Sequence, residues 1–296
     1  MRAKRKTTDK NTERLLDLVN RASVFVLLVS LAAVWCITSV RATGTVVPTM
    51  EFFDGHATVR FIDVGQGDCT LVTHRGHAVL IDTGPTDEAR ATAEYVRLYA
   101  PKLDAVIITH PHSDHMGGAA QVLSRCRASA LILGDEESTE AFYSSALDAA
   151  QKRGCAVVRL TGGASYRFGD IDVAIFDTSG YDHEGNLNDA SLAVRIDVDG
   201  LSLLAAGDAE AGEEAYLAGM GCDLDVDYLQ INHHGSSTSS TEAYLAAVTP
   251  EVAVISVGRG NSYGHPSMAV LESLEEAGAE IRRTDREGTI VIRGRG

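Results

Sequence analysis

The stretch Thr109-His110-Pro111-His112-Ser113-Asp114-His115 places three histidines and one aspartate within six residues. The apolar residues before it are typical of a short buried strand and those after it of a helix, which predicts a strand-to-helix loop. Imidazole nitrogens and carboxylate oxygens are ligands for Zn²⁺ and similar ions. Because side chains repeat with period two along an extended chain, we expect His110 and His112 to face the same way and bind one ion. Asp114 and His115 are expected to bind a second ion beside it.

The chain around this loop alternates between short apolar runs and helical patterns. Strands are predicted at residues 57–63, 69–73, 78–82, 104–109, 130–133, 155–160, 166–168, 171–176, 191–198, 201–206, 227–231 and 252–257, and two more end the chain. Helices are predicted at residues 85–99, 117–127, 138–152, 209–218, 241–248 and 266–277. The pattern indicates an α/β domain with two sheets over residues 56–296, preceded by a linker at residues 41–55.

The N-terminal part has a different composition. Residues 1–22 are polar and basic, and residues 23–40 are almost continuously apolar. Eighteen helical residues span about 27 Å, close to the thickness of a bilayer core. The basic flank predicts a cytoplasmic tail at residues 1–22 and export of the chain beyond the apolar segment. Residues 23–40 are interpreted as a transmembrane signal anchor, favoured by their length, or as a signal peptide cleaved near Ala42. The domain is therefore expected to be extracytoplasmic, either membrane-anchored or secreted.

The charge of the chain limits its partners. The formal charge is −15, and the residues from 43 onward hold 18 basic and 38 acidic side chains. Such a surface attracts a polyanion poorly at long range, although bound divalent ions would reverse the sign locally.

Four of the five cysteines lie outside the apolar segment, and none has the C-x-x-C spacing of a zinc ribbon. Cys126 and Cys155 each precede one of two successive predicted strands. Because export would allow oxidation, a disulfide between them is predicted.

Several further motifs follow a recognisable order along the chain. They are Phe61-Ile62-Asp63-Val64-Gly65-Gln66-Gly67-Asp68, Leu80-Ile81-Asp82-Thr83-Gly84, Asn188-Asp189-Ala190-Ser191-Leu192, Ala206-Gly207-Asp208, His233-His234-Gly235-Ser236 and Tyr263-Gly264-His265-Pro266. Together with His-x-His-x-Asp-His, this ordered set resembles the metallo-β-lactamase superfamily. Within that superfamily it resembles the ComEC-type hydrolase domains and their stand-alone relatives, over about residues 56 to 293.

The resemblance implies a four-layered αββα sandwich and a site for two divalent metal ions, Zn²⁺ or Mn²⁺. The metal ligands that it implies are His110, His112, Asp114, His115, Asp208 and His265. Asp208 would be shared by both ions, and Asp82 would support the metal loop by fixing the direction of a ligating imidazole.

The chain departs from the general superfamily at one position. Most members carry a further histidine between the central motif and the shared aspartate, where this chain has Asn188 to Ser191. An oxygen-rich shell at one ion would admit Mn²⁺ as well as Zn²⁺. The residues expected to support the ligands or contact the substrate are Asp82, Asp63, Asp68, Asn188, Ser191, Gly235 and Ser236.

His233 and His234 suit an anionic phosphate, because imidazoles donate hydrogen bonds or protons and a Gly-Ser turn exposes backbone N–H groups. One of the pair could instead bind a metal, and the sequence leaves this open. Asp114, His233 and His234 are predicted to be catalytic.

The favoured hypothesis is an extracytoplasmic phosphodiesterase or nuclease that uses a hydroxide bridging two ions. Its substrate would be a phosphodiester, with single- or double-stranded DNA as candidates. The alternative is a hydrolase of the same fold that acts on cell-envelope phosphodiesters or on lactam or lactone rings. A non-enzymatic binding module is disfavoured by the intact central motif.

Overall fold

The computed structural model describes residues 51–53 and 55–294. The predicted cytoplasmic tail, the apolar segment 23–40 and the linker up to residue 50 lie outside the described residues. Within the described part of the chain, no helix is long and apolar enough to cross a membrane.

Two seven-stranded sheets form the centre of the domain. The first has the order β14-β1-β2-β3-β4-β5-β6, with β1 Thr58–Phe61, β2 Thr70–His74, β3 His77–Ile81, β4 Lys102–Ile107, β5 Arg127–Leu133, β6 Ala156–Arg159 and β14 Ile290–Arg293. The second has the order β13-β12-β11-β10-β9-β8-β7, with β7 Ala164–Phe168, β8 Ile171–Ile175, β9 Val194–Val198, β10 Leu201–Ala205, β11 Tyr228–Gln230, β12 Val252–Ile255 and β13 Glu280–Arg283.

The helices of the described residues pack on the outer faces of these sheets. They are α1 Ala89–Tyr99, α2 Ser113–Met116, α3 Ala119–Arg125, α4 Ala141–Arg153, α5 Ala211–Gly219, α6 Glu242–Val248, α7 Met268–Glu276 and α8 Thr284–Glu287. The longer helices of the first half share one apolar cluster with the first sheet, and those of the second half share another with the second sheet.

A third apolar cluster lies between the two sheets and draws on strands of both. Strand β3 shows how the sequence produces this layering. Val79 and Ile81 belong to the cluster between the sheets, whereas Leu80 belongs to the cluster beneath the helices. A strand buried on both faces needs apolar residues at every position, which explains the apolar run in β3, whereas β8 and β9 alternate buried and half-buried residues. The order is therefore helices, sheet, sheet, helices.

The structure differs from the sequence prediction at the helix after the metal motif. Instead of one helix over residues 117–127, two short helices, α2 and α3, are separated by Gly117 and Gly118. A Cβ atom on Gly118 would lie 2.2 Å from the carbonyl oxygen of Thr83, and one on Gly117 would lie 2.5 Å from the amide nitrogen of Thr86. The two glycines therefore let the motif pack directly on the backbone after β3.

The predicted disulfide between Cys126 and Cys155 is wrong. The cysteines at positions 69, 126, 155 and 222 are all free. Residue 130 of β5 pairs with residue 156 of β6, which puts Cys155 opposite position 129. Cys126 lies three residues, or roughly 10 Å, from that position along the strand direction. A disulfide needs Cα atoms within about 7 Å, so adjacent strands alone do not bring these two sulfurs together.

Candidate metal centre

The site forms where strands of both sheets end. Asp82 follows β3 and the central motif follows β4, and these two strands are parallel. Asp208, the His233-His234 pair and the loop carrying His265 follow β10, β11 and β12, which are also parallel neighbours. Because the carboxyl ends of parallel strands lie at one edge of a sheet, side chains far apart in sequence converge there.

His110, His112 and Asp208 form one group of candidate metal ligands. His110 Nε2 lies 2.9 Å from His112 Nδ1 and 3.8 Å from Asp208 Oδ2. Two nitrogens that bind one Zn²⁺ at about 2.0–2.1 Å lie about 3 Å apart when the two bonds are near 90°. His110 Nδ1 lies 3.2 Å from Ser191 Oγ, which also accepts the Asp208 N–H at 3.2 Å. Ser191 therefore holds both ligand residues in place.

Asp114, His115, Asp208 and His234 form a second group. His115 Nε2 lies 3.0 Å from Asp208 Oδ1. His234 Nε2 lies 3.3 Å from Asp114 Oδ2 and 3.7 Å from Asp208 Oδ1. Asp208 thus turns a different oxygen toward each group.

Hydrogen bonds on the far side of two rings set their tautomers. His115 Nδ1 lies 2.9 Å from Asp82 Oδ2, and His234 Nδ1 lies 2.9 Å from the carbonyl oxygen of Ser256. Because a carboxylate and a carbonyl only accept, both Nδ1 atoms carry the proton. Nε2 of His115 and of His234 is then the ring nitrogen that would bind a metal beside Asp208, as in ligating histidines with a carboxylate or carbonyl behind them.

Buried charges dominate the electrostatics of the site. Burial opposes ionisation, but the imidazoles of His115 and His234 hold the pKa of Asp208 well below its usual range. Asp208 and Asp82 in turn hold the pKa of His115 well above its usual range, again against burial. Asp208 Oδ1, His115 Nε2 and both carboxylate oxygens of Asp68 are buried without a hydrogen-bond partner in the described residues. Buried atoms of this kind fit a bound cation, which would neutralise the carboxylates and accept the free lone pairs.

His233 occupies the outer side of the centre. Its side chain is 21% exposed, compared with 2% for His234. His233 Nε2 lies 3.7 Å from Asp208 Oδ2, and its Nδ1 lies 3.5 Å from Glu210 Oε1. The His265 ring is 5.7 Å from the His233 ring, and His265 belongs to none of the ligand groups found among the described residues. The structure thus places His234 among the candidate ligands and His265 beside them.

The remaining predicted residues are distributed around the centre. Asp68 is buried with Oδ1 3.3 Å from His234 Nδ1. Asp63 is exposed, and its Oδ1 accepts the N–H of Gly65 in a local turn. Asn188 donates to Glu210 Oε1 at 3.2 Å.

The Gly235-Ser236 turn was expected to expose its backbone N–H groups to an anion, and for Ser236 this expectation is wrong. The Ser236 N–H donates to the carbonyl oxygen of His233 at 2.8 Å, so it is not exposed for an anion. The backbone of the turn is left-handed at His233, His234 and Gly235, with φ values of 50°, 55° and 82°. Left-handed residues other than glycine cost about 1–3 kcal/mol each and cluster at functional sites.

Sequence reasoning missed two glutamates that hold the His233-His234 turn. Glu210 contacts His233 and also accepts from Asn186, Asn188 and Thr238, which joins two loops. Glu214 is fully buried and accepts from the side chain of Asn232 and from the backbone N–H groups of residues 240 and 241. The available signal was the set of three glutamates, at 210, 213 and 214, in the otherwise apolar stretch 209–218, since buried glutamates are rare unless paired.

A polar cleft of about 300 Å³ lies beside the loop that carries Asp189. Its walls include Asp135 and Glu136, and His183 Nε2 lies 3.2 Å from Glu136 Oε1. A much smaller cavity is lined by His110 and shares Glu136 and Ala190 with this cleft. The cleft is thus acidic on the side that faces the β4 loop.

Two sheets with helices outside, and buried His/Asp groups at the strand ends, define a metal-dependent hydrolase. The family profile described as the metallo-beta-lactamase superfamily matches residues 62–259, so the chain belongs to that superfamily. This confirms the family inferred from the motifs. The His/Asp groups imply divalent metal ions.

The similar curated proteins include a competence protein and a ComE operon protein. The chain is 27% identical over 254 residues to ComE operon protein 3 of Bacillus subtilis, covering 79% of this chain and 33% of that protein. It is 32% identical over 243 residues to competence protein ComA of Neisseria gonorrhoeae, covering 80% of this chain and 32% of that protein. The chain thus spans about a third of the length of these relatives.

Solved structures show the same fold. YhfI from Bacillus subtilis superposes with a TM-score of 0.53 at 12% identity, covering 80% of this chain and 100% of that one. The diiron β-hydroxylase CmlA from Streptomyces venezuelae gives a TM-score of 0.55 at 14% identity, covering 81% of this chain and 54% of that one.

Proposed function

We propose that this domain is a phosphodiesterase that holds two divalent cations, Zn²⁺ or Mn²⁺. The observation that carries the proposal is the position of Asp208 between the two ligand groups. Its Oδ1 lies 3.0 Å from His115 Nε2, and its Oδ2 lies 3.8 Å from His110 Nε2. One carboxylate with an oxygen toward each group suits a pair of ions about 3.5–4 Å apart. His110 and His112 would hold one ion, and Asp114, His115 and His234 the other.

Two bound ions would supply an activated water near neutral pH and polarise a phosphoryl oxygen. The residues of the chain would then orient the attacking water and protonate the leaving oxygen. Asp114 is 31% exposed on its side chain and lies at the mouth of its group, so it can orient an attacking water as well as bind metal. Its role is predominantly chemical, because a partly exposed side chain contributes little to packing.

His233 suits protonation of the leaving oxygen. It is the more exposed histidine of the pair, and Glu210 lies on the Nδ1 side of its ring. His233 Nδ1 lies 3.3 Å from the Thr238 hydroxyl, so a proton on Nδ1 would have a partner there and Nε2 would be left to face the reacting group and exchange a second proton.

A phosphodiester is favoured over a lactam by the histidines at the rim. A phosphodiester brings negative charge toward an acidic domain, and imidazoles beside the ions offset that charge. The relatives named as competence proteins support a nucleic acid substrate, with single- and double-stranded DNA as candidates. Few basic residues are available to bind phosphates, so we expect weak affinity for DNA and a shallow dependence of that affinity on salt.

The N-terminal sequence supports an extracytoplasmic location. A basic segment followed by the apolar residues 23–40 suits a membrane anchor or a secretion signal. We therefore place the hydrolase domain outside the cytoplasm in this proposal.

The acidic cleft supports an alternative substrate. Asp135, Glu136 and Asp189 would repel a polyanion but would accept an uncharged or cationic group attached to the reacting centre. Cell-envelope phosphodiesters, lactams and lactones fit that description.

A substrate panel tests the proposal. The purified protein is assayed with bis-p-nitrophenyl phosphate, DNA and nitrocefin under Zn²⁺ and Mn²⁺, with elemental analysis of bound metal. We expect two ions per chain and phosphodiester turnover well above nitrocefin turnover. Asp114→Ala should abolish turnover with the fold retained, whereas Asp104→Asn, far from the centre, should not. Efficient nitrocefin hydrolysis without phosphodiester turnover would favour the alternative.

A further inference from the structure

A row of three aromatic rings leads from the metal centre to solvent. The rings of His233 and His265 lie 5.7 Å apart at 77°, and those of His265 and Tyr263 lie 5.8 Å apart at 29°. His233 is the inner member, with Nε2 3.7 Å from Asp208 Oδ2. Tyr263 is the outer member, with its ring 5.8 Å from that of His265.

The loop that carries Tyr263 is fixed by one side chain. Asn261 Oδ1 accepts the N–H groups of Tyr263 and His265, both at 3.1 Å. Asn261 Nδ2 donates to the carbonyl oxygens of Gly258 and His265, at 3.1 and 2.7 Å. The Ser267 N–H donates to the carbonyl oxygen of Gly235 at 2.8 Å, which joins this loop to the His233-His234 turn. Tyr263 therefore has a defined position relative to the centre.

Tyr263 is nevertheless 70% exposed. Met268, on the other side of His265, is 68% exposed. Among the described residues only Phe53 is a more exposed large apolar side chain, and it lies by the β2–β3 turn, at the other end of β3 from Asp82. Two of the three most exposed apolar side chains thus flank a histidine of the site.

We infer that Tyr263 is a stacking platform for the nucleobase attached to the scissile phosphate. The inference rests on the proposed phosphodiesterase function and assigns its substrate class as a nucleotide or nucleic acid strand. An aromatic ring held in place loses little conformational freedom when a base stacks on it, and stacking accepts any base. Stacking also needs no positive charge, so it supplies affinity on a domain whose acidic surface cannot.

Two substrates with the same leaving group distinguish base stacking on Tyr263 from hydrolysis of the phosphodiester. Thymidine 5′-(p-nitrophenyl phosphate) and methyl p-nitrophenyl phosphate differ only in the group that remains on phosphorus. The wild-type protein should prefer the thymidine ester in kcat/KM. Stacking on an aromatic side chain is lost in Tyr263→Ala, which should reduce that preference by about 5- to 100-fold. Tyr263→Phe keeps the ring and should retain the preference within about twofold. Phe53→Ala removes an equally exposed aromatic ring and should retain it as well.

A direct readout of stacking completes the test. A dinucleotide containing 2-aminopurine should be quenched on mixing with wild type and Tyr263→Phe, but not with Tyr263→Ala. An unchanged thymidine preference in Tyr263→Ala, or undiminished quenching, overturns the platform while phosphodiester turnover still supports the proposed function. If neither ester is hydrolysed the proposed function fails, and the quenching alone then decides whether a base stacks on Tyr263.

Discussion

Replacing Asp82 with asparagine should cost metal affinity without disturbing the backbone. Asp82 Oδ2 lies 2.9 Å from His115 Nδ1 and accepts the Thr109 hydroxyl at 2.8 Å, while Oδ1 accepts the Thr109 N–H at 2.8 Å. The residue is left-handed with φ of 56°, a conformation that asparagine adopts readily. Asparagine keeps one oxygen for the Thr109 N–H but turns an NH₂ group toward two donors.

The size of the effect follows from the tautomer of His115. Facing an NH₂ group, His115 Nδ1 must give up its proton to accept a hydrogen bond, which moves the proton to Nε2. Nε2 is the atom that points at Asp208 Oδ1, so the ring can then bind metal only by leaving a buried donor unpaired. Loss of such a supporting partner typically weakens metal affinity about 10- to 100-fold.

Competition with a chelator measures this change directly. Metal affinity is determined for wild type and Asp82→Asn, with thermal unfolding of the metal-free proteins to report folding. Asp104→Asn is the matched control, because Asp104 Oδ2 lies 3.0 Å from His77 Nδ1 at the other end of β3. Affinity within a factor of two of wild type in Asp82→Asn, or an equal loss in Asp104→Asn, would refute the tautomer argument.

Three further predictions concern stability. Gly118→Ala should destabilise by about 1–3 kcal/mol in denaturant unfolding, because the new Cβ meets the rigid carbonyl oxygen of Thr83 at 2.2 Å. Glu214→Ala should cost about 3 kcal/mol or more and lower turnover, because it leaves buried donors of residues 232–241 unsatisfied, whereas Glu214→Gln keeps one acceptor and should lose less. Burial and neighbouring carboxylates raise the pKa of Glu213 well above 4.5, so above pH 4.5 the folded state keeps a proton that the unfolded state has already released. The contribution of Glu213 to stability should therefore fall as pH rises above 4.5, and melting temperatures compared across pH should show Glu213→Gln gaining on wild type over that range.

The strands could be predicted from sequence because the central ones are apolar runs and others, such as β9, alternate apolar and polar residues. Every predicted strand overlaps an observed one, since burial on both faces makes runs such as residues 77–81 conspicuous. The interruption between helices α2 and α3 at Gly117 and Gly118 could not be predicted from the sequence, because it depends on backbone atoms more than thirty residues away. The free state of Cys126 and Cys155 depends on strand register, which local periodicity does not specify.

The candidate site could be predicted from the sequence only in part. His110 and His112 meet because they are two residues apart in the loop after β4, a closeness visible in the sequence, although the chain bends at residues 109–111 rather than running extended. The distinction between His233 and His234 depends on consecutive left-handed residues, which are rare outside glycine and were not anticipated. Glu210 acquires its position through contacts with loops about twenty residues away in both directions, so only the folded chain identifies it.

The pairing of β14 with β1 has a consequence for synthesis of the domain. Thr58 pairs with Arg293, so β1, the first strand of the described residues to be synthesised, acquires its second neighbour only when β14, the last of them, has been made. Until then the outer edge of β1 presents unpaired backbone groups beside a buried apolar row, the feature that promotes association between chains. The nascent domain is thus exposed to aggregation for nearly the whole time of its translation, and a chain truncated before Ile290 should remain so permanently.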